Sequence, residues 1–275
     1  MKNKKNDNRK SLGIALASGG ARGGAHVGAL KRLLEENIQI DEIVGCSIGS
    51  IVGAYFCAGK FEKLTDYIEN FNTRSFMKLL DPKIRGTHGL ILGEKIKEML
   101  RKDLGDLKFS DLKIKLKIVS TNFITGKKIV FERGSVIEAI RASISIPFIF
   151  EPANYKNLIL VDGGLLDPLP IELLDSDFKL GICLSYIDPK ESFNSKIRII
   201  QRTLVIMEKA IIEEKIKNLA KENKLNNVLI ITPKVSAGHP FDFDTLKDSY
   251  IKGYMEMSKK IKLLKKLLGE NNEKM

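Results

Sequence analysis

Residues 12–17, Leu-Gly-Ile-Ala-Leu-Ala, form an uncharged run of strand length that stops at Ser18-Gly19-Gly20-Ala21-Arg22-Gly23-Gly24. A strand with no polar residue on either side must be covered on both faces, the situation of a central strand in a parallel sheet. The rest of the chain repeats this pattern of short apolar run, turn and helix-period segment. A helix is expected from the glycine loop to about Glu36, with Val27, Leu30, Leu33 and Leu34 on its inner face. Residues 42–46 read as a second strand running directly into Ser47, with a helix from Ile48 to about Ala58. Residues 60–104 read as a helical cap over a site, broken at Asp81-Pro82 and at Gly86-Thr87-His88-Gly89. A hairpin is expected at 116–123 and 128–132 around Thr125-Gly126. Strands are expected at 158–161, 180–186 and 228–232, and helices at 135–143 and along the stripe Ile200, Leu204, Met207 and Ile211. This alternation predicts an α/β fold in three layers, a largely parallel sheet with helices on both faces. One domain is expected over 11–268, between a basic arm (1–10) and a short tail (269–275).

Composition narrows the function. With 43% hydrophobic and 29% charged residues, the 275-residue chain folds. Its 46 Lys and Arg against 34 Asp and Glu leave a net charge of +12, which suits an anionic partner. No nucleic-acid recognition motif occurs, so a membrane surface is the preferred use of that charge. Cys46, Cys57 and Cys183 have no C-x-x-C spacing, and His26, His88 and His239 match no metal pattern. They read as reduced thiols and ordinary imidazoles, and neither metal nor cofactor is expected. The longest uncharged run, 43–59, is interrupted by Gly45, Ser47, Gly49, Ser50 and Gly53. It falls short of the ~20 predominantly apolar residues of a spanning helix. The basic start resembles a signal peptide, yet its apolar stretch is below the usual ~7–15 residues and cleavage would delete the first strand. The expectation is a cytoplasmic protein with optional peripheral contact at an anionic membrane.

The segment that carries chemistry is Gly45-Cys46-Ser47-Ile48-Gly49, a G-x-S-x-G between a strand and a helix. A tight turn there holds the serine at strained dihedrals, and the flanking glycines let strand and helix approach closely. Ser47 then sits at a helix N-terminus, where negative charge is favoured. Gly19 and Gly20 follow the first strand at the same sheet edge. Their backbone N–H groups, with that of Ile48, are candidates for holding a developing oxyanion. Asp162 ends a strand and is followed by Gly163-Gly164, which permit a sharp turn. It reaches the same crevice if its strand belongs to the parallel set. A direct Asp base needs a dry site, because its reference pKa is ~3.9.

These motifs together resemble the patatin-like phospholipase family. The family carries a G-G-G-x-[KR]-G loop, a G-x-S-x-G turn and a D-G-[AG] motif, in that order. Here they are Ser18-Gly19-Gly20-Ala21-Arg22-Gly23, the 45–49 segment and Asp162-Gly163-Gly164, with Ser18 in place of the first family glycine. The stretch Arg141-Ala142-Ser143-Ile144-Ser145-Ile146-Pro147 is also similar to one the family places before its aspartate. The resemblance spans about residues 11–187. It implies that Ser47 is a nucleophile, Asp162 its base, and the reaction lipid acyl-ester hydrolysis through an acyl-enzyme, without calcium. The implied substrate is a phospholipid or lysophospholipid.

Other uses of the same residues stay open. Ser47, Asp162 and His239 follow the chain order of an α/β-hydrolase triad. Gly19–Gly24 is only a degenerate copy of the dinucleotide pattern. Arg22 can contact a lipid phosphate or brace its own loop. His26 reads as a packing residue, and Cys46 as buried and inert. The segment 258–268 alternates lysines with Ile261, Leu263, Leu264, Leu267 and Leu268, which suits either a docked terminal helix or an amphipathic helix lying on a bilayer. The same site also admits acyl transfer, and the charge admits an inactive membrane- or partner-binding protein.

Overall fold

The computed structural model describes residues 9–82, 90–187, 189, 196–235 and 242–269. Residues 1–8, the expected break at 86–89 with His88, the loop carrying His239, and 270–275 lie outside them. The strands are β1 Leu12–Leu16, β2 Glu42–Cys46, β3 Lys115–Asn122, β4 Lys127–Phe131, β5 Ala153–Tyr155, β6 Leu158–Asp162, β7 Phe178–Ile182 and β8 Val228–Ile231. The helices are α1 Gly24–Glu35, α2 Ile48–Cys57, α3 Phe61–Asn70, α4 Thr73–Lys78, α5 Glu94–Leu104, α6 Val136–Ser143, α7 Lys196–Lys221 and α8 Leu246–Leu268.

One sheet runs in the order β5-β6-β3-β2-β1-β7-β8, with β4 also paired to β3. Strands β3, β2, β1, β7 and β8 are parallel, whereas β4 and β6 are antiparallel to β3 and β5 is antiparallel to β6. The all-apolar β1 is central, as its composition requires. Leu12, Ile14 and Leu16 join the larger core with residues of α1, α2 and α8. Ala15, Ala17 and Val44 face the opposite layer, where Ile212 and Leu219 of α7 meet Leu169, Ile171 and Leu174.

Several boundaries differ from the sequence expectation for identifiable reasons. Strand β7 ends at Ile182 although the apolar run continues, because Leu184 packs over Gly19 instead of joining a ladder. Leu34 is 40% exposed, so of the four expected inner-face residues α1 buries Val27, Leu30 and Leu33. In α7, the stripe Leu204, Met207 and Ile211 borders a cavity, and the buried positions are Ile212 and Leu219. Arg9, assigned to the arm, pairs with Asp41 at 2.7 Å.

Helix α8 is longer than the 258–268 segment suggested, and its apolar face is occupied. Met257, Ile261, Leu264 and Leu268 are buried, and α8 crosses α1 at glycines. A Cβ at Gly28 would lie 2.0 Å from the Tyr250 carbonyl oxygen, and one at Gly253 would lie 2.0 Å from that of Ala25. Lys265 pairs with Glu36, and Lys252 with Asp248 at 2.6 Å. The lysines of α8 are therefore the solvated side of a docked helix. Among the described residues, no helix is long and apolar enough to cross a membrane.

This crossing predicts that Gly253→Ala lowers stability by about 1–3 kcal/mol or more, the cost of overpacking against backbone. Lys262→Ala, at an exposed position of α8, is expected to stay within about 0.5 kcal/mol. Urea midpoints at constant m-value check both.

Candidate active site

The sheet register brings two strand ends together. On β3, Val119 pairs with Cys46 and Val130, and the next residue, Ser120, pairs with Asp162 and Ile129. Val130 and Ile129 are neighbours on β4, so β2 and β6 share the other edge of β3. They run toward each other and meet end to end. The strand of Asp162 is thus not part of the parallel set. It reaches the crevice from the opposite direction, and its last residue adjoins the last residue of β2.

Ser47 follows β2 at φ 53° and ψ −122°, a sparsely populated conformation for a residue with a side chain. Such a position costs about 1–3 kcal/mol and persists only where its surroundings hold it. Here a Cβ at Gly45 would lie 2.4 Å from the Gly49 carbonyl oxygen, and one at Gly49 would lie 2.2 Å from that of Leu16. Both glycines of the motif are required by that approach. The Ser47 N–H donates to Ser143 Oγ at 2.9 Å, and Ser50 donates to the Ser47 carbonyl from N (2.9 Å) and Oγ (2.6 Å).

The Ser47 hydroxyl donates to Asp162 Oδ2 at 2.6 Å. The Gly164 N–H donates to Asp162 Oδ1 at 2.7 Å, and the Asp162 N–H donates to the Ser145 carbonyl at 2.9 Å. Gly163 lies so close to β3 that a Cβ would meet the Val119 carbonyl oxygen at 2.5 Å. Burial pushes the Asp162 carboxyl up to about 7; the negative Glu208 adds to this, while the bonds from Ser47 and Gly164 oppose it. Direct contact between hydroxyl and carboxylate leaves no place for an imidazole between them. His239 lies outside the described residues, and His26 is used elsewhere. Its Nε2 is 2.8 Å from the Ala17 carbonyl, and burial lowers its pKa to about 4, so it is a neutral packing residue. Cys46 is buried and its thiol is pushed up by burial.

The loop after β1 lies beside Ser47. Gly20 adopts φ 57°, and a Cβ at Gly23 would stand 2.3 Å from Ile48 Cγ1. Among the described residues, no protein group accepts from the N–H groups of Gly19, Gly20 or Ile48. Arg22 is buried; its guanidinium donates to the Gly19 carbonyl at 3.0 Å and to that of Tyr186 at 3.3 Å, bracing the loop. Ser18, the departure from the family glycine, donates to Glu208 Oε1 of α7 at 2.8 Å.

Two cavities meet at Ser47 and Gly20. One, of about 630 Å³ counting its open mouth, is bordered by Ser18, Arg22, Asp162, Glu208 and Met207. The other, of about 970 Å³ with its mouth, runs under α2 to α5 and is lined almost wholly by apolar side chains. The expected helical cap is its roof. Among the described residues, no group of three or more His, Cys, Asp or Glu is placed to hold a metal.

Against known proteins, the sequence profile of the patatin-like phospholipase family matches residues 14–175. The chain belongs to the patatin-like phospholipase family. It is 36% identical over 177 residues to an uncharacterized NTE family protein of Mycobacterium bovis, covering 63% of this chain and 49% of that one. It is 32% identical over 166 residues to lysophospholipase NTE1 of Eremothecium gossypii, covering 59% of this chain and 11% of that one. The chain therefore spans half or less of the length of these relatives. The type III effector protein ExoU shares the fold with a TM-score of 0.50 at 13% identity, over 93% of this chain and 53% of that one.

Ser47, Asp162, Gly19 and Gly20 border the polar cavity, and Ile48 lines the apolar one that meets it at Ser47 and Gly20. The structure also adds Ser143, Ser145 and Glu208, to which sequence reasoning assigned no role. The first two sit in the 141–147 segment already marked by its likeness to the family; nothing in the sequence pointed to Glu208.

The raised Asp162 pKa predicts a pH-dependent stability gap. A carboxyl that stands at about 7 when folded and near 3.8 when unfolded takes up a proton on folding, so the wild type loses stability as pH rises between those values. Asp162→Asn does not titrate. It is expected to be the more stable protein above pH of about 7, with the gap closing toward pH 4, in denaturation series across pH.

Proposed function

We propose that the chain is a serine acyl-ester hydrolase of the phospholipase A or lysophospholipase type, acting through Ser47 and Asp162. The observation that carries this reading is the 2.6 Å hydrogen bond from the Ser47 hydroxyl to the buried carboxylate. Ser47 Oγ attacks the ester carbonyl as its proton passes to Asp162 Oδ2. The carbonyl oxygen becomes an oxyanion between the N–H groups of Gly19, Gly20 and Ile48, at the positive end of α2. On collapse, Asp162 returns the proton to the departing alcohol. Water then attacks the acyl-enzyme, giving a proton to Asp162; on collapse Asp162 returns that proton to Ser47 Oγ, and the fatty acid leaves.

The two cavities support a lipid ester. The apolar cleft suits the acyl chain, since each methylene taken from water contributes about 0.8 kcal/mol. The polar cavity suits the leaving alcohol. The name of the Eremothecium relative points the same way, toward a lysophospholipid. The net charge of +12 favours encounter with anionic lipid surfaces.

Ser47→Ala is expected to lower hydrolysis across a lipid panel by about three orders of magnitude or more with the fold intact. Turnover that survives in the folded variant overturns the assignment. As a base, Asp162 acts when ionised, so kcat/KM is expected to fall as pH drops below about 7. Glu208→Gln removes a neighbouring negative charge and is expected to move that acid limb to lower pH.

A further inference from the structure

One wall of the apolar cleft is a face of α2. Ile48, Ile51, Val52 and Tyr55 line it, because residues three, four and seven apart share one helix face. Tyr55 stands eight residues beyond Ser47, about 12 Å at the helical rise of 1.5 Å per residue. It is fully buried, and its ring meets that of Tyr67 edge-on, with centroids 6.2 Å apart. Tyr67, on α3, lines the cleft too.

Behind the rings, both hydroxyls donate to the same atom, Asp103 Oδ2 on α5, at 2.6 Å from Tyr55. Lys63 approaches the other Asp103 oxygen at 3.8 Å from the solvent side. Bonds to a carboxylate are the strong kind, and three helices contribute to this group. Burial and Asp103 push Tyr67 up to about 12 and raise Tyr55 further, so both phenols keep their protons and go on donating. An alkyl end that pushed past the rings would break those bonds and enter a polar cluster. The mechanism gives this buried cluster no part in the chemistry.

We propose that the Tyr55–Asp103–Tyr67 cluster is the end stop of the acyl site, restricting the seated chain to medium length. The proposal rests on Ser47 being the residue that receives the acyl group. A run of about 12 Å is shorter than the ~15 Å of hydrocarbon in one leaflet, half the ~30 Å core of a bilayer. Asp103 acts as a positioning residue: it touches no substrate and holds the two rings in place.

The test is a series of alkyl fluorophosphonates from butyl to hexadecyl, with the labelling rate of Ser47 measured on the full chain. The wild-type rate is expected to rise with each methylene, pass a maximum near decyl, and fall at hexadecyl. In Tyr67→Ala and in Asp103→Ala, the hexadecyl-to-butyl ratio is expected to rise about tenfold or more, through burial of the methylenes beyond the stop. A change that only loosened the fold would slow every probe and leave the ratio unmoved. An unchanged ratio in both folded variants overturns the end stop while the hydrolase reading stands. So does a wild-type rate that keeps rising through hexadecyl, which decides the matter even if neither variant folds. A wild type that no probe labels overturns the nucleophile and the end stop together.

Discussion

The contact between the Ser47 hydroxyl and the Asp162 carboxylate depends on two strands of opposite direction sharing one edge of β3. β2 pairs with its first residues and β6 with its last, so the two strands abut at Val119 and Ser120. In an open parallel sheet, strand ends lie side by side and functional groups project from neighbouring loops. Here the serine and the carboxylate come from the facing ends of a broken line. The gap between them is closed by one turn on each side, the strained Ser47 and the Gly163-Gly164 pair. Residues that hold this junction are not chemical themselves: Ser143 takes the Ser47 N–H, and the Ser145 carbonyl takes that of Asp162.

A carboxylate in such a place is costly to the fold. Asp162 is surrounded by apolar and backbone groups, with Glu208 close by, and its ionised form is held up chiefly by two hydrogen bonds. The same burial that penalises the charge makes the group more basic than an ordinary carboxylate. Stability and basicity are therefore opposed at this one side chain. The rest of the molecule supplies the difference through two large cores on either side of the sheet. The buried Asp167, in the loop after Asp162, is tied to β4 through Lys128, at 2.7 Å, and to α7 through Lys215.

The helices on the two faces have different tasks. On one face α1, α2 and α8 pack with glycines at close approaches that admit no side chain, beside the loop after β1 and the turn at Ser47. Helices α3, α4 and α5 then roof an apolar cleft that begins at Ser47. On the other face, α7 brings Glu208 and a half-exposed row containing Met207 to the polar cavity. One serine thus borders both an apolar and a polar space.

By itself, the sequence determined the local events. Six apolar residues in a row demanded a central strand, and G-x-S-x-G demanded a tight strand-to-helix turn. Asp-Gly-Gly demanded a second sharp turn, because these depend on sterics and periodicity within a few residues. The motif order was enough to mark the family resemblance and to pair Ser47 with Asp162. Only the tertiary structure decided that β6 runs against the parallel set, that Ser18 reaches Glu208 across 190 positions of chain, and that Asp103 clamps two tyrosines from other helices. It also decided the fate of the basic C-terminal segment, whose lysine and leucine pattern suits bilayer and protein alike. These are long-range pairings, set by which surfaces are left to bury once the local elements exist, and no window of sequence contains both partners.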